Sequence, residues 1–206
     1  MIKYFCVLDF EANCQEDGKP NINEIIEFPC ILYKLTDENK LIELGKFESF
    51  VKPTFYPILT PFCTNLTTIT QQDVDNADIF PNVFNNVKRW LHEMSEMENV
   101  FFNINNFIIV TCGNWDIMTM LPKDLEKWGL RNEKKIWKRW FNIKYGYDAV
   151  YNVKKRMSMP DMLNNINLEL IGTHHRGIDD CINIGNILVK MFEDGFVFDE
   201  KYIKSA

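Results

Sequence analysis

The sequence predicts a mixed α/β fold in which helices flank a sheet. Tyr4–Leu8 is a continuous apolar run, and two further strand-like segments follow it at short intervals. Downstream, apolar residues recur at the three- and four-residue spacing of a helix. Another buried strand, residues 107–112, then leads into a second helical pattern. Strands that come first and then alternate with helices are typical of a mixed sheet covered by helices.

The first three predicted strands form an antiparallel meander. Tyr4–Leu8 has no alternation of polar and apolar residues, which is typical of a strand buried on both faces. Ile25–Leu35 is the second strand, and Pro29 within it predicts an edge or a bulge because proline has no N–H to donate. Residues 41–51 form the third strand after a turn at 37–40. Short connections between such strands favour the meander.

Four helices are expected in the rest of the chain. Apolar residues between 83 and 94 predict a helix that begins near Pro81. Residues 117–128 repeat the pattern after the strand at 107–112, and Pro122 inside it predicts a kink or a short break. Residues 160–166 predict a short helix, and residues 178–193 predict the last one.

The composition is that of an ordinary globular chain. Of the 206 residues, 46% are hydrophobic and 25% are charged, which excludes disordered and collagen-like chains. No apolar run approaches the ~20 residues of a membrane helix, and the N-terminus lacks the features of a signal peptide. We therefore expect an intracellular protein, cytoplasmic or nuclear, that has no membrane partner. Its six cysteines include no C-x-x-C pair, which indicates reduced thiols rather than a zinc site.

The charge is distributed unevenly. The net charge is −6, but residues 131–156 contain nine Lys/Arg and two acids, a local charge of +7 that leaves −13 for the remainder. This basic segment also contains Trp137, Trp140 and Phe141. Two interpretations remain open: the segment is a solvated helix face, or it follows a phosphate backbone.

Two acids end the first predicted strand. Asp9 and Glu11 are two residues apart, so their side chains share one face of the strand. Two such carboxylates repel each other and resist burial unless a cation lies between them. The pair alone leaves two interpretations, a divalent metal site or two solvated acids where the strand meets a loop.

Two later segments add candidates of the same kind. Asp116 follows the strand at 107–112 across a Gly-Asn turn and opens a helix, where ligands of α/β sheets collect. Helix capping is the alternative role for this residue. His175 lies on a loop, and Asp180 follows five residues later on the opening turn of the last helix. Acids at several strand and helix ends beside a histidine predict an active site.

These residues carry a resemblance to a known family. Asp9-Phe10-Glu11-Ala12, Asn114-Trp115-Asp116 and residues 175–180 resemble the three motifs of the DEDDh 3′–5′ exonucleases. Longer strings at 7–12, 24–29, 60–67 and 177–184 are similar to the branch that contains the histone-mRNA 3′-end exonuclease and the enhancer-of-RNA-interference nuclease. Residues 111–116 and 120–122 are similar to its stand-alone, prion-protein-interacting member. The resemblance implies an RNase H-like fold, with a five-stranded mixed sheet flanked by helices, and one 3′–5′ exonuclease domain over residues 1–206.

The resemblance also implies a chemistry. Two divalent cations, Mg²⁺ or Mn²⁺, would be held by Asp9, Glu11, Asp116 and Asp180. His175 would be the general base, and the family's His-x4-Asp spacing selects Asp180 rather than the neighbouring Asp179. The implied reaction removes nucleoside 5′-monophosphates from the 3′ ends of single-stranded RNA.

The same resemblance implies substrate contacts. Trp115 would contact the terminal base, and Phe62 and Leu66 would form a wedge beside it. Backbone groups near Phe10 and Ala12 would meet the terminal ribose, where contacts to the 2′-hydroxyl favour RNA. For Trp115 and Phe62 the alternative is packing in the core.

Three other functions remain open at this point. A DNA-directed 3′–5′ exonuclease would use the same acids. A catalytically silent RNA-binding protein would keep the fold without the chemistry, although the intact acids argue against it. A metal hydrolase of unrelated fold would not act on RNA. The sequence identifies no protein partner.

Overall fold

A computed structural model describes residues 1–16, 19, 21–130, 133 and 135–205, and its centre is one mixed sheet. The strands are β1 (Tyr4–Leu8), β2 (Glu11–Ala12), β3 (Ile25–Leu35), β4 (Leu41–Phe50), β5 (Phe107–Thr111), β6 (Arg139–Asn142) and β7 (Ile203–Ser205). The helices are α1 (Pro61–Thr67), α2 (Gln71–Asp75), α3 (Phe80–Met97), α4 (Leu121–Lys127), α5 (Ile143–Tyr151), α6 (Met159–Asn165) and α7 (Gly177–Glu193). Short 3-10 turns cover Lys135–Lys138 and Glu200–Tyr202.

The sheet has seven strands, so the expected number of five is wrong. Beyond the four strands that the sequence patterns locate, β2, β6 and β7 have two to four residues each. Segments this short do not show a two-residue alternation of polar and apolar residues, and β6 lies within the basic segment. The predicted mixed sheet with flanking helices is confirmed.

The strand directions bring several carboxyl ends to one edge of the sheet. β1 pairs antiparallel with β3, and β3 with β4, which confirms the predicted meander. β1, β5 and β6 pair in parallel, and β7 closes the far side antiparallel to β6. The chain therefore leaves β1, β5 and β6 at the same edge, the usual position of a ligand site in such sheets.

Pro29 lies within an interior strand rather than on an edge. Ile31 of β3 pairs with Val7 on one side and with Lys46 on the other. Pairing with β1 ends at Cys30, and pairing with β2 resumes only at Glu27. Pro29 thus lies between the part of β3 that pairs with β1 and the part that pairs with β2. At this position neither strand requires an N–H donor from β3.

The core lies on both faces of the sheet, as the sequence of β1 predicts. Tyr4, Cys6 and Leu8 pack on the side of α3 and α4, whereas Phe5 and Val7 pack on the side of α7. In the part of the chain that the structure describes, no helix is long and apolar enough to cross a membrane.

The basic segment does not form a single helix face. Arg131 and Lys134 lie outside the described residues, and the remainder contains a 3-10 turn, β6 and all of α5. Trp137, Trp140 and Phe141 are buried, so these aromatic residues belong to the core. These three aromatic side chains are therefore not available to a ligand.

The helical pattern after β5 is interrupted, as Pro122 predicts. A π-helical turn covers Asp116–Met120, and α4 then begins at Leu121 with the proline in its first turn. Proline cannot donate the backbone hydrogen bond that would continue a regular helix through this point. Asp116 consequently opens a wide turn directly after the sheet edge.

Candidate active site

Four acids meet at the edge of the sheet where β1 and β5 end. Asp9 follows β1, Glu11 lies in β2, Asp116 opens the π-helical turn, and Asp180 lies in the first turn of α7. All four line one open pocket of about 360 Å³. This volume is in the range of small-ligand sites.

The carboxylates are close enough to share a cation. Oxygen atoms of Asp9, Glu11 and Asp180 lie within 4.8 Å of one another. Asp116 Oδ1 accepts a hydrogen bond of 3.0 Å from the backbone N–H of Phe10, which ties the turn after β5 to the end of β1. Three acids are therefore clustered, and the fourth is fixed at the pocket wall beside them.

The electrostatics of the pocket favour a bound cation. Burial, followed by the charges of Asp116, Glu11 and Asp180, raises the pKa of Asp9 well above its usual range. Burial and the same kind of repulsion raise the pKa of Glu11 to about 9. Burial also raises the pKa of Asp116 to about 6. Such acids can ionise together only if positive charge is supplied, and clustered carboxylate oxygens are the donors that Mg²⁺ and Mn²⁺ take. The donor set therefore fits a divalent cation.

Two histidines stand beside Asp180. The backbone N–H of His175 donates to Asp180 Oδ2 at 2.9 Å, and Nδ1 of His174 lies 3.0 Å from Oδ1. The two imidazole rings stack with centroids 3.9 Å apart. Burial, and then the nearby His174, lower the pKa of His175, so its ring is neutral near pH 7. The motif singled out His175 alone, and the contact of His174 with the acid comes only from the folded loop.

Asp179 faces a different part of the molecule. Its Oδ2 accepts a 2.8 Å hydrogen bond from the backbone N–H of Thr173, and it does not line the pocket. Asp180 is 3% exposed and lies inside the pocket. The geometry therefore agrees with the register that selects Asp180 over its neighbour.

Glu27 positions the start of α7 from beneath the site. It is fully buried in β3, and its carboxylate accepts the backbone N–H groups of Gly177 at 3.0 Å and Ile178 at 3.2 Å. Arg176 Nε lies 3.3 Å from the same carboxylate. Free amides at a helix start favour an anion, so Glu27 holds α7, and with it Asp180, against the sheet. The sequence shows Glu27 within an otherwise apolar strand, which could have indicated a buried partner, but we did not predict this role.

Gly177 allows α7 to approach the sheet closely. A Cβ atom at this position would lie 2.8 Å from the carbonyl oxygen of Asp9 and 2.9 Å from Pro29. Any larger residue would push the helix away from the end of β1 and carry Asp180 with it.

The predicted substrate contacts occupy two places. Trp115 lines the pocket and is 41% exposed, and Phe62 is 39% exposed on α1, so core packing is the wrong alternative for both. Phe10 lines the pocket while its ring packs on Phe28, and its N–H is already bonded to Asp116. Ala12, Phe62 and Leu66 do not line the pocket.

α1 is nevertheless attached to the strand that carries Glu11. The Cys63 thiol on α1 contacts the carbonyl oxygen of Ala12 at 3.7 Å, and the Thr60 hydroxyl donates to the carbonyl oxygen of Cys14 at 2.6 Å. These contacts place the helix beside the end of β2, adjacent to the acids.

Several residues that line the pocket were not predicted from the sequence. They are Cys112, Lys144, Ser158, Met159, His174 and Ile184. Lys144 lies in the basic segment, which was the available signal for its involvement.

Comparisons with known proteins give matches over most of the chain. A family model, RNase T, described as an exonuclease, matches residues 6–188. The chain is 39% identical over 199 residues to ERI1 exoribonuclease 3 of Homo sapiens and 34% identical over 194 residues to human 3′-5′ exoribonuclease 1, covering 96% and 93% of this chain. The nuclease domain of 3′hExo, a DEDDh member bound to rAMP, aligns with a TM-score of 0.83 at 33% identity, over 95% of this chain and 94% of that one.

The matched relatives are longer than this chain. The alignments cover 56% of ERI1 exoribonuclease 3 and 53% of 3′-5′ exoribonuclease 1, so the chain spans about half the length of these curated relatives.

Proposed function

Because the chain belongs to the RNase T exonuclease family, we propose that it is a metal-dependent 3′–5′ exoribonuclease that removes nucleoside 5′-monophosphates from RNA 3′ ends. The observation that carries the proposal is the convergence of Asp9, Glu11, Asp116 and Asp180 on one pocket beside His175. The domain would extend over residues 1–206, since the two largest core clusters pack on one continuous sheet.

The family is metal dependent, and we propose two divalent cations, Mg²⁺ or Mn²⁺, for this chain. Asp9, Glu11, Asp116 and Asp180 would hold them. When bound, such a pair stabilises the attacking and leaving oxygens of a displacement at phosphorus. The four carboxylates formally neutralise the four positive charges of such a pair, and the cations would bind the phosphate through their open coordination positions.

Other residues of the site would accept a proton or contact the substrate. His175, neutral because its pKa is lowered, accepts the proton of the attacking water. The exposed indole of Trp115 stacks on the terminal base, and Phe62 and Leu66 on α1 act as the wedge. Backbone groups near Phe10 and Ala12 would meet the terminal ribose.

RNA is favoured over DNA as the substrate. The 3′hExo nuclease domain, which aligns with 95% of this chain, binds rAMP, a ribonucleotide. Both similar human proteins carry the name exoribonuclease. We propose single-stranded RNA 3′ ends as the partner and a nucleoside 5′-monophosphate as the product.

The test is a nuclease assay on matched RNA and DNA oligonucleotides of one sequence, labelled at the 5′ end, with Mg²⁺, Mn²⁺ or EDTA. We expect stepwise shortening of RNA, release of 5′-monophosphates identified by mass spectrometry, and no reaction in EDTA. Faster shortening of DNA would support the DNA-directed alternative. Binding of RNA without shortening would support the catalytically silent protein. A protein that does not bind RNA and does not shorten it would refute the assignment.

A further inference from the structure

Lys144 is the single lysine or arginine among the described residues that line the pocket. It is half-buried, and no acid of the described part of the chain forms an ion pair with its ammonium group, although four carboxylates share the pocket. A partly desolvated ammonium group without a protein partner is available to an anion that enters from outside.

The position of Lys144 in the fold adds a second feature that attracts anions. It lies in the first turn of the nine-residue helix α5, which follows β6. β6 runs parallel to β5, so the positive end of α5 lies at the sheet edge that carries Asp116. Asn142 fixes this end, since its Oδ1 accepts the Lys144 backbone N–H at 3.2 Å and its amide donates to Asn114 Oδ1 at 3.1 Å.

Two further cations contact Tyr145, the residue that follows Lys144 in α5. The Arg156 guanidinium lies 5.0 Å from the ring centre of Tyr145 and donates to its hydroxyl at 3.1 Å. Lys204 Nζ lies 4.8 Å from the same ring centre. Arg156 and Lys204 are both exposed. By contrast, Arg139 begins β6 at the opposite edge of the sheet and donates to the carbonyl oxygen of Ile104. Of the described residues of the basic segment, Lys144 alone lines the pocket.

We propose that Lys144 binds the phosphodiester immediately upstream of the scissile phosphate, and that Arg156 and Lys204 bind the strand further upstream. The inference rests on the proposed function. The terminal nucleotide of a 3′ end contributes one phosphate, the scissile one, which the cations held by the acidic site would coordinate. Any other phosphate near the pocket belongs to the upstream strand, and Lys144 is the cation available to it.

The test uses the full chain and ten-nucleotide RNAs that each carry one neutral methylphosphonate at a defined linkage. Lys144→Ala and Lys144→Arg are compared with Lys40→Ala, which removes an exposed lysine from the β3–β4 turn at the other end of the sheet. We measure kcat/KM at several salt concentrations, and melting temperatures to verify folding.

We expect Lys144→Ala to lower kcat/KM about tenfold, the effect of one charge-assisted phosphate contact, and to reduce the salt slope by about 0.7. A methylphosphonate upstream of the scissile linkage should slow the wild type and leave Lys144→Ala unchanged. Lys144→Arg should retain most activity, and Lys40→Ala all of it. Wild-type kinetics in Lys144→Ala, or an undiminished methylphosphonate effect in that variant, would overturn the proposal.

A second measurement separates this proposal from the proposed function. RNA binding is followed by fluorescence anisotropy with Ca²⁺ in place of Mg²⁺, using the same RNAs and variants. If the wild type releases no nucleotide, the proposed function fails, and binding alone decides the role of Lys144. Weaker binding by Lys144→Ala, with the flatter salt slope, supports the phosphate site, and equal binding refutes it.

Discussion

Replacing Glu11 by glutamine should stabilise the metal-free protein while it abolishes hydrolysis. The pKa of this carboxyl is raised from 4.5 to about 9 by burial and by the charge of Asp180. A folded-state pKa above the unfolded value means that the folded chain holds the proton more tightly. The loss of folding free energy caused by this shifted pKa is absent below pH 4.5 and grows as the pH rises towards 9. Glutamine is neutral at every pH and avoids it.

The size of the effect follows from the pKa shift. At pH 7 the pH exceeds the unfolded-state pKa of 4.5 by 2.5 units, and each unit corresponds to 1.36 kcal/mol. Glu11→Gln should therefore stabilise the metal-free protein by about 3 kcal/mol at pH 7. For a chain of this length that corresponds to a rise in melting temperature of roughly 6–12 °C. Near pH 4.5 the two proteins should be equally stable.

The assay is urea denaturation in EDTA between pH 4.5 and 8, repeated with Mn²⁺. Metal should stabilise the wild type and have little effect on Glu11→Gln, because a ligand is missing. Glu43→Gln is the control, since Glu43 is an exposed carboxylate on β4. A Glu11→Gln protein less stable than the wild type, or a stability difference that does not change with pH, would refute the electrostatic explanation.

Three further predictions concern the neighbours of this acid. Asp180→Asn should reduce turnover by roughly a thousandfold through loss of cation binding. Asp179→Asn keeps an acceptor for the Thr173 N–H and should reduce turnover less than about tenfold. The opposite order in steady-state assays would mean that Asp179, rather than Asp180, is the acid of the third motif. His175→Ala should lose roughly 10²–10⁴-fold in kcat, and protonation of His175 should inactivate the wild type only below the usual pKa range of histidine, because burial lowers the pKa of His175; full activity of the variant from pH 6 to 9 would exclude the base role. Glu27→Ala should destabilise the protein by about 1–3 kcal/mol in urea denaturation, because the backbone N–H groups of Gly177 and Ile178 lose their buried acceptor, whereas Arg176 keeps its pair with Glu48; a variant as stable as the wild type would contradict that contact.

Some features of the fold were predictable because a short stretch of sequence specifies each of them. The unbroken apolar run of β1 specifies a strand buried on both faces, and both faces are covered. Pro122 interrupts a helical pattern, and the chain forms a π-helical turn before α4. Asp9, Glu11 and Asp116 were identified by their places at strand ends, where the chain leaves the sheet and polar side chains meet solvent or ligands.

Other features depend on which distant segments the sheet brings together. Glu27 and Gly177 are 150 residues apart, and only the close approach of α7 to β3 makes the buried glutamate a support for the helix. His174 and Lys144 had the same sequence signals as other polar residues nearby. Their positions in the pocket follow from the loop before α7 and from the parallel pairing of β5 with β6. Periodicity reports whether a side chain is buried, whereas strand order and register determine which side chains meet, so the acids were predictable from the sequence and their cationic and supporting neighbours were not.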